Sequence, residues 1–165
     1  MNNQLSFIQE PLKSSQLGYT LHIDGASRNN PGPAGAGIVV KLDDKLVLTH
    51  GYFLGNKTNN QAEYLALVLG LITWKSLKKD KPLYVFSDSE LLVRQLTGQY
   101  RVKNPALQHL FHCAYLLTNN LPIQFTHVLR AKNKEADALA NQGIDTKSPI
   151  PDHYRKVLDE YRITI

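Results

Sequence analysis

The chain of 165 residues has a single cysteine, and none of its apolar runs approaches the length of a membrane-spanning helix. One cysteine excludes an internal disulfide framework, which favours a reducing compartment. The first 17 residues hold no apolar core of signal-peptide length. We therefore expect a cytoplasmic protein without a membrane segment, in which residues 1–17 form a polar N-terminal extension.

Acidic residues are in the minority. The chain has 14 Asp and Glu against 19 Lys and Arg, which gives a net charge of +5 and an isoelectric point of about 9.3. This balance favours a polyanionic partner without identifying it, since a mild basic excess also occurs in proteins that have no such partner. With 42% hydrophobic residues and no internal repeat, the chain fits one domain with an adequate core.

Alternating apolar residues predict three antiparallel strands at the start of the chain. Residues 19–24 show the period-2 pattern of a strand with one apolar face, and Asp24 is predicted to end that strand. The segment 25–35, rich in Gly, Pro and Asn, then supplies a turn. A second strand over 36–42 and a third over 45–54 complete the set.

Helical and strand patterns alternate along the rest of the chain. Helices are predicted over residues 57–77, 90–96, 105–118 and 135–143, strands over 83–86 and 123–129, and a polar loop over 130–134. The segment Thr58-Asn59-Asn60-Gln61 resembles a capping box at the start of the first helix. Residues 146–165 form a C-terminal tail with a short helix around 154–161. This order predicts an α/β fold, a mixed sheet with helices on its faces.

Four acidic residues occupy the ends of predicted elements. Asp24 and Asp88 each end a strand, and Glu63 and Asp137 lie in the first turns of helices. Each also has a simpler interpretation: Asp24 as a turn residue, Asp88 as a helix cap, and the other two as acids that favour a helix N-terminus. If the four converge, their repulsion requires raised pKa values or bound cations. Oxygen ligands without His or Cys favour Mg²⁺ or Mn²⁺, and two such ions about 4 Å apart serve phosphodiester cleavage.

Four segments in order resemble the signature segments of type 1 ribonuclease H (RNase HI), the family that cuts the RNA strand of RNA/DNA hybrids. They are IDGASRNNPGPAGAG, TNNQAEYLAL, VFSDSELLVRQL and KNKEADALAN, within a resemblance that runs from Tyr19 to Asn141. The resemblance implies the ribonuclease H-like fold, a five-stranded mixed sheet in the order 3-2-1-4-5 flanked by helices. It also implies that residues 18–145 are the catalytic domain of a hydrolase, an endonuclease that acts on RNA/DNA hybrid as a monomer.

The same resemblance assigns roles to individual residues. The catalytic and metal-binding set of the family falls on Asp24, Glu63, Asp88 and Asp137. By this likeness the four carboxylates hold two Mg²⁺ ions, with Mn²⁺ as a possible substitute, and the products carry a 5′-phosphate and a 3′-hydroxyl.

Substrate contacts are implied at further positions of the same motifs. These are Asn30, Thr58, Asn59, Asn60 and Glu90, of which Glu90 stands where some relatives have Gln. Amides and backbone N–H groups suit this role because they bond to 2′-hydroxyls and phosphates without reading the bases.

Two departures from the family pattern concern basic residues. Some members carry a mobile His before the last Asp, whereas this loop is the compact VLRAKNKEAD. In the family this His is thought to help release product or metal. Here His127 lies just upstream, in a strand-like context, and Arg130 or Lys132 could substitute for it electrostatically. The remaining alternative is that this function is absent. The region 98–105 also lacks a Lys-rich insertion, which leaves Arg94, Arg101 and Lys103 as phosphate contacts or as ordinary solvated charges.

Other features have competing interpretations. His109, His112 and Cys113 are close in sequence, but on a helix they are expected to be ordinary surface and packing residues rather than a metal site. Trp74 and Tyr64 are expected to pack in the core rather than to stack on bases. At the level of the whole chain, two alternatives are a binding protein that kept the fold without turnover and one domain of a reverse transcriptase or transposon polyprotein.

Overall fold

The computed structural model describes residues 17–77, 80–118 and 121–165, so almost all of the predicted N-terminal extension, together with Lys78 and Lys79, lies outside the described residues. One five-stranded sheet in the order β3-β2-β1-β4-β5 carries the helices on its faces. The elements are β1 (Tyr19–Ser27), β2 (Gly32–Leu42), β3 (Lys45–Lys57), α1 (Asn59–Lys75), β4 (Leu83–Ser87), α2 (Glu90–Leu96), α3 (Pro105–Thr118), β5 (Ile123–His127), α4 (Lys134–Thr146) and α5 (Asp152–Glu160). The predicted strand order is confirmed.

Strand β1 is the central strand of the sheet. It pairs antiparallel with β2 and parallel with β4, and β4 pairs parallel with β5. Ile23 of β1 lies opposite Ser87 of β4, so the next residues, Asp24 within β1 and Asp88 just after β4, lie side by side where the parallel pairing ends. This parallel pair is what brings two carboxylates together from positions far apart in sequence.

Helix α1 is buried along nearly its whole length, from Ala62 to Trp74. Its start is fixed by a capping box, in which the Thr58 hydroxyl accepts from the Gln61 N–H and the Gln61 side chain accepts from the Thr58 N–H. Tyr64 and Trp74 are each 1% exposed, and the Tyr64 hydroxyl donates to Gln95 Oε1 at 2.7 Å. Their expected place in the core is confirmed.

Helix α4 packs on the opposite face of the sheet from α1, directly against a seam of glycines. A Cβ added at Gly35, Gly37 or Gly51 would collide with the backbone oxygens of Ala140, Ala136 and Leu139, respectively. The absence of side chains at these three positions therefore lets the helix backbone lie on the strand backbone.

Several predicted boundaries are corrected. Asp24 does not end its strand, because Gly25 to Ser27 continue to pair with β2 as far as Ala34. Likewise β2 begins at Gly32 rather than at residue 36, and β3 continues to Lys57 rather than to residue 54. In each case pairing with a neighbouring strand continues into sequence of turn-forming composition, so tertiary pairing overrides the local turn preference.

The C-terminal third also differs in detail. Strand β5 ends at His127 rather than at residue 129, and part of the predicted polar loop, Arg130–Lys132, is a turn of 3-10 helix. The tail helix, α5, begins two residues earlier than predicted, and Tyr154 and Leu158 on it are buried in the main core with Ile163. Within the described ranges, every helix is too short or too polar to cross a bilayer.

Candidate active site

Two of the four predicted carboxylates come from the parallel strand pair. Asp24 is 4% exposed within β1, and Asp88 directly follows β4 with a side chain that is 8% exposed. Asp88 does not cap α2, because Ser89 holds that position and its hydroxyl accepts from the Leu92 N–H. The interpretation of Asp88 as a helix cap is therefore wrong, and its carboxylate is free to face Asp24.

Glu63 reaches the same point from α1 because β1 has a glycine there. A Cβ on Gly25 would collide with the backbone of Ala62 and Glu63, and the Gly25 N–H donates to Glu63 Oε2 at 3.0 Å. Glu63 lies beyond the first turn of α1 and is 6% exposed, so its interpretation as an acid at a helix N-terminus is wrong. Gly25 is a residue that the sequence analysis treated only as part of a turn, and it determines how closely α1 approaches the site.

One carboxylate oxygen from each of Asp24, Glu63 and Asp88 lies within 4.8 Å of the others. Burial raises the pKa of Asp24 to about 8, and the charge of Asp88 and a side-chain hydrogen bond with it add to the rise. Burial, followed by the charge of Asp24, also raises the pKa of Glu63 well above its usual range. Such a cluster of buried oxygens with excess negative charge is suited to hold a hard divalent cation.

No second group of this kind occurs in the part of the chain that the structure describes. His109 and His112 are exposed on α3, and Cys113 is buried and free. These three residues do not form such a group in the structure.

Asp137 lies at the rim of the cluster rather than within it. It is half-buried in the first turn of α4 and is not part of the group of three. Its charge contributes, after burial and Asp88, to the raised pKa of Asp24. Asn141 Nδ2 donates to the Asp137 carbonyl at 3.0 Å and lies 3.5 Å from its carboxylate. The structure thus brings three of the four predicted carboxylates together, with the fourth close enough to act on them electrostatically.

Arg130 lies beside the cluster, next to Asp88. Its Nε lies 3.6 Å from Asp88 Oδ2, although its side chain is 86% exposed. His127 is exposed at the end of β5, and Lys132 is exposed in the 3-10 turn. Neither makes a hydrogen bond or ion pair with the carboxylates among the described residues.

Asn133 is a site residue that the sequence analysis missed. It is 2% exposed, and its Nδ2 donates to the Ile23 carbonyl at 2.8 Å and lies 3.4 Å from Asp88 Oδ1. It directly precedes α4, so one side chain links that helix to β1 and to the residue after β4. A short polar residue immediately before a predicted helix was the only local signal for it.

The predicted substrate-contacting residues divide into two groups. Asn30 Oδ1 accepts from the Asn59 N–H at 3.0 Å, which ties the turn after β1 to the start of α1 and leaves Asn59 and Asn60 exposed on that surface. Thr58 is half-buried, and its hydroxyl is engaged in the cap. Glu90 stands apart on α2, where its carboxylate pairs with Arg94 at 2.7 Å.

Comparison with known proteins identifies similar chains. Residues 22–143 match the family described as reverse transcriptase-like. The chain is 41% identical over 126 residues to the ribonuclease HI of Halobacterium salinarum, a match that covers 75% of this chain and 63% of that protein. It is 36% identical over 148 residues to the ribonuclease H of Coxiella burnetii, covering 81% of this chain and 94% of the relative.

A solved structure agrees with the sequence matches. LC11-RNase H1, which was solved in complex with an RNA/DNA hybrid, superimposes with a TM-score of 0.74 at 35% identity, over 78% of this chain and 97% of that one. The match to the halobacterial relative, in contrast, spans less than two thirds of that protein's length, at 63%.

Proposed function

The chain belongs to the type 1 ribonuclease H family, and on that premise we propose that it is an endoribonuclease that hydrolyses the RNA strand of RNA/DNA hybrids. The observation that carries the proposal is the convergence of Asp24, Glu63 and Asp88, each of which places one carboxylate oxygen within 4.8 Å of the others. The net charge of +5 supports binding to a polyanion, because a chain that is basic as a whole attracts one even though the cluster itself is acidic.

We propose that Asp24, Glu63, Asp88 and Asp137 hold two Mg²⁺ ions, with Mn²⁺ as a possible substitute. The donor set fits, since it consists of buried oxygens whose mutual repulsion raises the pKa values of Asp24 and Glu63 beyond the effect of burial. The bound ions would supply an activated water and charge stabilisation at the leaving oxygen, giving products with a 5′-phosphate and a 3′-hydroxyl.

The chain's own residues hold this arrangement in place. The Gly25 N–H orients the Glu63 carboxylate, and the Asn133 amide orients Asp88. Arg130, which is highly exposed beside Asp88, is the best-placed residue for the auxiliary electrostatic role, and His127 or Lys132 are the alternatives. As a guanidinium with donors only, Arg130 would act on the substrate phosphate or product by attraction and hydrogen bonding.

Substrate contacts are proposed at the surface formed by the turn between β1 and β2 and by the start of α1. The Asn30 side chain is hydrogen-bonded to the Asn59 backbone, and Thr58, Asn59 and Asn60 are consecutive at the start of α1. Amides bond to 2′-hydroxyl and phosphate groups. Glu90 is proposed as a more distant contact, with its charge offset by Arg94. The single buried cysteine supports a cytoplasmic location, and we propose that the protein acts there as a monomer.

Cleavage of an RNA/DNA hybrid labelled on its RNA strand, in Mg²⁺, tests the proposal. Asp24→Asn and Asp88→Asn each remove a charged ligand, and we expect the rate to fall by at least about 100-fold. Asp152→Asn is the matched control, since it makes the same chemical change on an exposed residue of α5 and is expected to cleave like wild type. Full activity of both cluster variants would overturn the metal site, and hybrid binding without any cleavage by wild type would favour a binding protein.

A further inference from the structure

Two aromatic rings are stacked across the parallel strand pair, close to the carboxylate cluster. The imidazole of His22 in β1 and the phenyl ring of Phe86 in β4 have centroids 4.7 Å apart and planes inclined by 19°. The two residues are direct partners in the register of β1 and β4. We call them the ring pair. The ring pair joins the two strands through side chains, in addition to the hydrogen bonds of the backbone.

Each ring precedes one aspartate of the cluster by one side-chain repeat. Side chains alternate along a strand, so His22 and Asp24, two residues apart in β1, project to the same face of the sheet. Helix α4 packs on that face, since Asp24 lies opposite Gly37, where an added Cβ would meet the Ala136 backbone oxygen. Asp88, just after β4, likewise comes two residues beyond its ring. The two rings therefore lie next to the two aspartates along the strands.

The backbone pairing of β1 with β4 stops short of the carboxylates. The last partners in the register are Ile23 and Ser87, and each is followed by an aspartate of the cluster. Beyond this point the Ile23 carbonyl accepts from Asn133 Nδ2. The separation of the two aspartates therefore depends on the side-chain contacts near the end of the pairing, and the ring pair is such a contact.

The two aspartates tend to push the strands apart. Asp24 and Asp88 each place a carboxylate oxygen within 4.8 Å of the other, and two ionised carboxylates at this distance repel. Stacked rings on neighbouring strands attract each other, so the ring pair opposes this repulsion. The separation matters for metal binding, because Mg²⁺ requires its oxygen ligands at about 2.0–2.1 Å in near-ideal octahedral geometry.

The His22 ring contains a nitrogen that its surroundings do not use. Nδ1 is buried and has no hydrogen-bond partner among the residues that the structure describes. A buried polar atom without a partner is unfavourable, and a phenyl ring would carry no such atom. The stacking contact is therefore the part of His22 that we expect to matter, and phenylalanine should be able to replace it.

We propose that the ring pair positions Asp24 and Asp88 for divalent cations, so that His22 and Phe86 are positioning residues of the site. Neither ring is a ligand, and the pair acts through the strands that carry two of the ligands. This inference rests on the metal site proposed above. It adds two residues outside the four carboxylates to those that determine metal affinity.

The affinity for Mn²⁺ tests the proposal, measured without nucleic acid from the electron paramagnetic resonance signal of the free ion. His22→Ala removes the stacking, and we expect Mn²⁺ to bind about 10-fold more weakly. Phe86→Leu keeps an apolar side chain without the ring and should also weaken binding. The double variant should lose less than the sum of the two, because either single change already breaks the one contact.

His22→Phe is the conservative variant, and His153→Ala is the matched control. His22→Phe restores a stacked ring without the unpartnered Nδ1, so the Mn²⁺ affinity should stay within about 2-fold of wild type and the melting temperature should not fall. His153 is exposed on α5, outside the β1–β4 pair, and its ring contacts Tyr154. His153→Ala therefore removes a histidine ring contact elsewhere and should bind Mn²⁺ like wild type.

A purely structural role of the ring pair predicts a different result. His22→Ala and Phe86→Leu would then lower the melting temperature yet bind Mn²⁺ like wild type where they are folded, which would overturn the proposal. If His22→Ala does not fold, Phe86→Leu reports on the same contact. Binding by His22→Phe as weak as that expected of His22→Ala would also overturn it, since a ring nitrogen and not the stacking would then be responsible.

The outcomes also separate this proposal from the proposed function. A wild-type protein that binds Mn²⁺ and cleaves the hybrid, beside ring-pair variants of unchanged Mn²⁺ affinity, would overturn only the role of the ring pair. A wild-type protein that neither binds Mn²⁺ nor cleaves the hybrid would overturn both.

Discussion

Substitution of Gly25 by alanine tests whether β1 determines the position of Glu63. The added Cβ would lie well inside 3.0 Å of the Ala62 and Glu63 backbones, a separation that real Cβ atoms essentially never show. To restore ordinary contact at 3.4 Å, α1 has to move away by about 1 Å. The collision is with backbone rather than with a flexible side chain, so no rotamer change can relieve it.

The movement has two measurable effects. Overpacking of this kind destabilises a fold by about 1–3 kcal/mol. It also lengthens the 3.0 Å bond from the Gly25 N–H to Glu63 Oε2 and displaces the Glu63 carboxylate from Asp24. A misplacement of about 1 Å at a catalytic group lowers the rate by about 100-fold. We therefore expect Gly25→Ala to be folded, moderately less stable, and about 100-fold slower in cleavage at saturating hybrid.

The assay combines thermal unfolding with single-turnover cleavage at saturating hybrid in Mg²⁺. Gly55→Ala is the control, because Gly55 has a φ of +70 and no atom within 4 Å of an added Cβ. That substitution strains the backbone by about 1–2 kcal/mol but displaces nothing at the site. If Gly25→Ala loses stability yet cleaves as fast as Gly55→Ala, the reasoning that β1 positions Glu63 is wrong.

Two further predictions concern the same cluster. Asp24 has a folded-state pKa of about 8, above the value of about 3.9 for an unfolded Asp. Between these two pH values the native state binds more protons than the unfolded state, so the stability of the protein in EDTA should fall as the pH rises from about 4 to about 8. Mg²⁺ should accordingly raise the melting temperature more near about pH 8 than near about pH 5, and equal shifts at both would contradict the assignment. Asn133→Ala removes the side-chain amide that bonds to the buried Ile23 carbonyl and lies beside Asp88. We expect a stability loss of about 1–3 kcal/mol and a lower kcat with KM unchanged. A change in KM alone would show instead that Asn133 acts on the substrate.

The features that sequence reasoning predicted are those with local signals. The capping box at Thr58 and the apolar spacing of the segment that follows it predict α1 well, because both depend on neighbours within a few residues. The strand order was predicted through the family resemblance, and the four carboxylates were singled out by their positions at element ends before the resemblance gave them roles. The convergence of three of these carboxylates then follows from the parallel pairing of β1 with β4 and from the close approach of α1.

The features that it missed depend on contacts between distant segments. Asn133 bonds to a carbonyl 110 residues away, and nothing in its neighbours reports that bond. Strand β1 runs past Asp24 because β2 offers a partner as far as Ala34, although Gly25 to Ser27 have turn-forming composition. The burial of Ile163 likewise depends on how the tail docks on the core.

The glycine seam beneath α4 affects how sequence variation in this protein should be interpreted. At Gly35, Gly37 and Gly51 even one methyl group would meet helix backbone, so every other amino acid is excluded by shape alone. In a library selected only for folding, these positions would stay glycine without any selection for catalysis. Invariance there would therefore report the distance between α4 and the sheet, and only the neighbouring polar positions would carry information about the reaction.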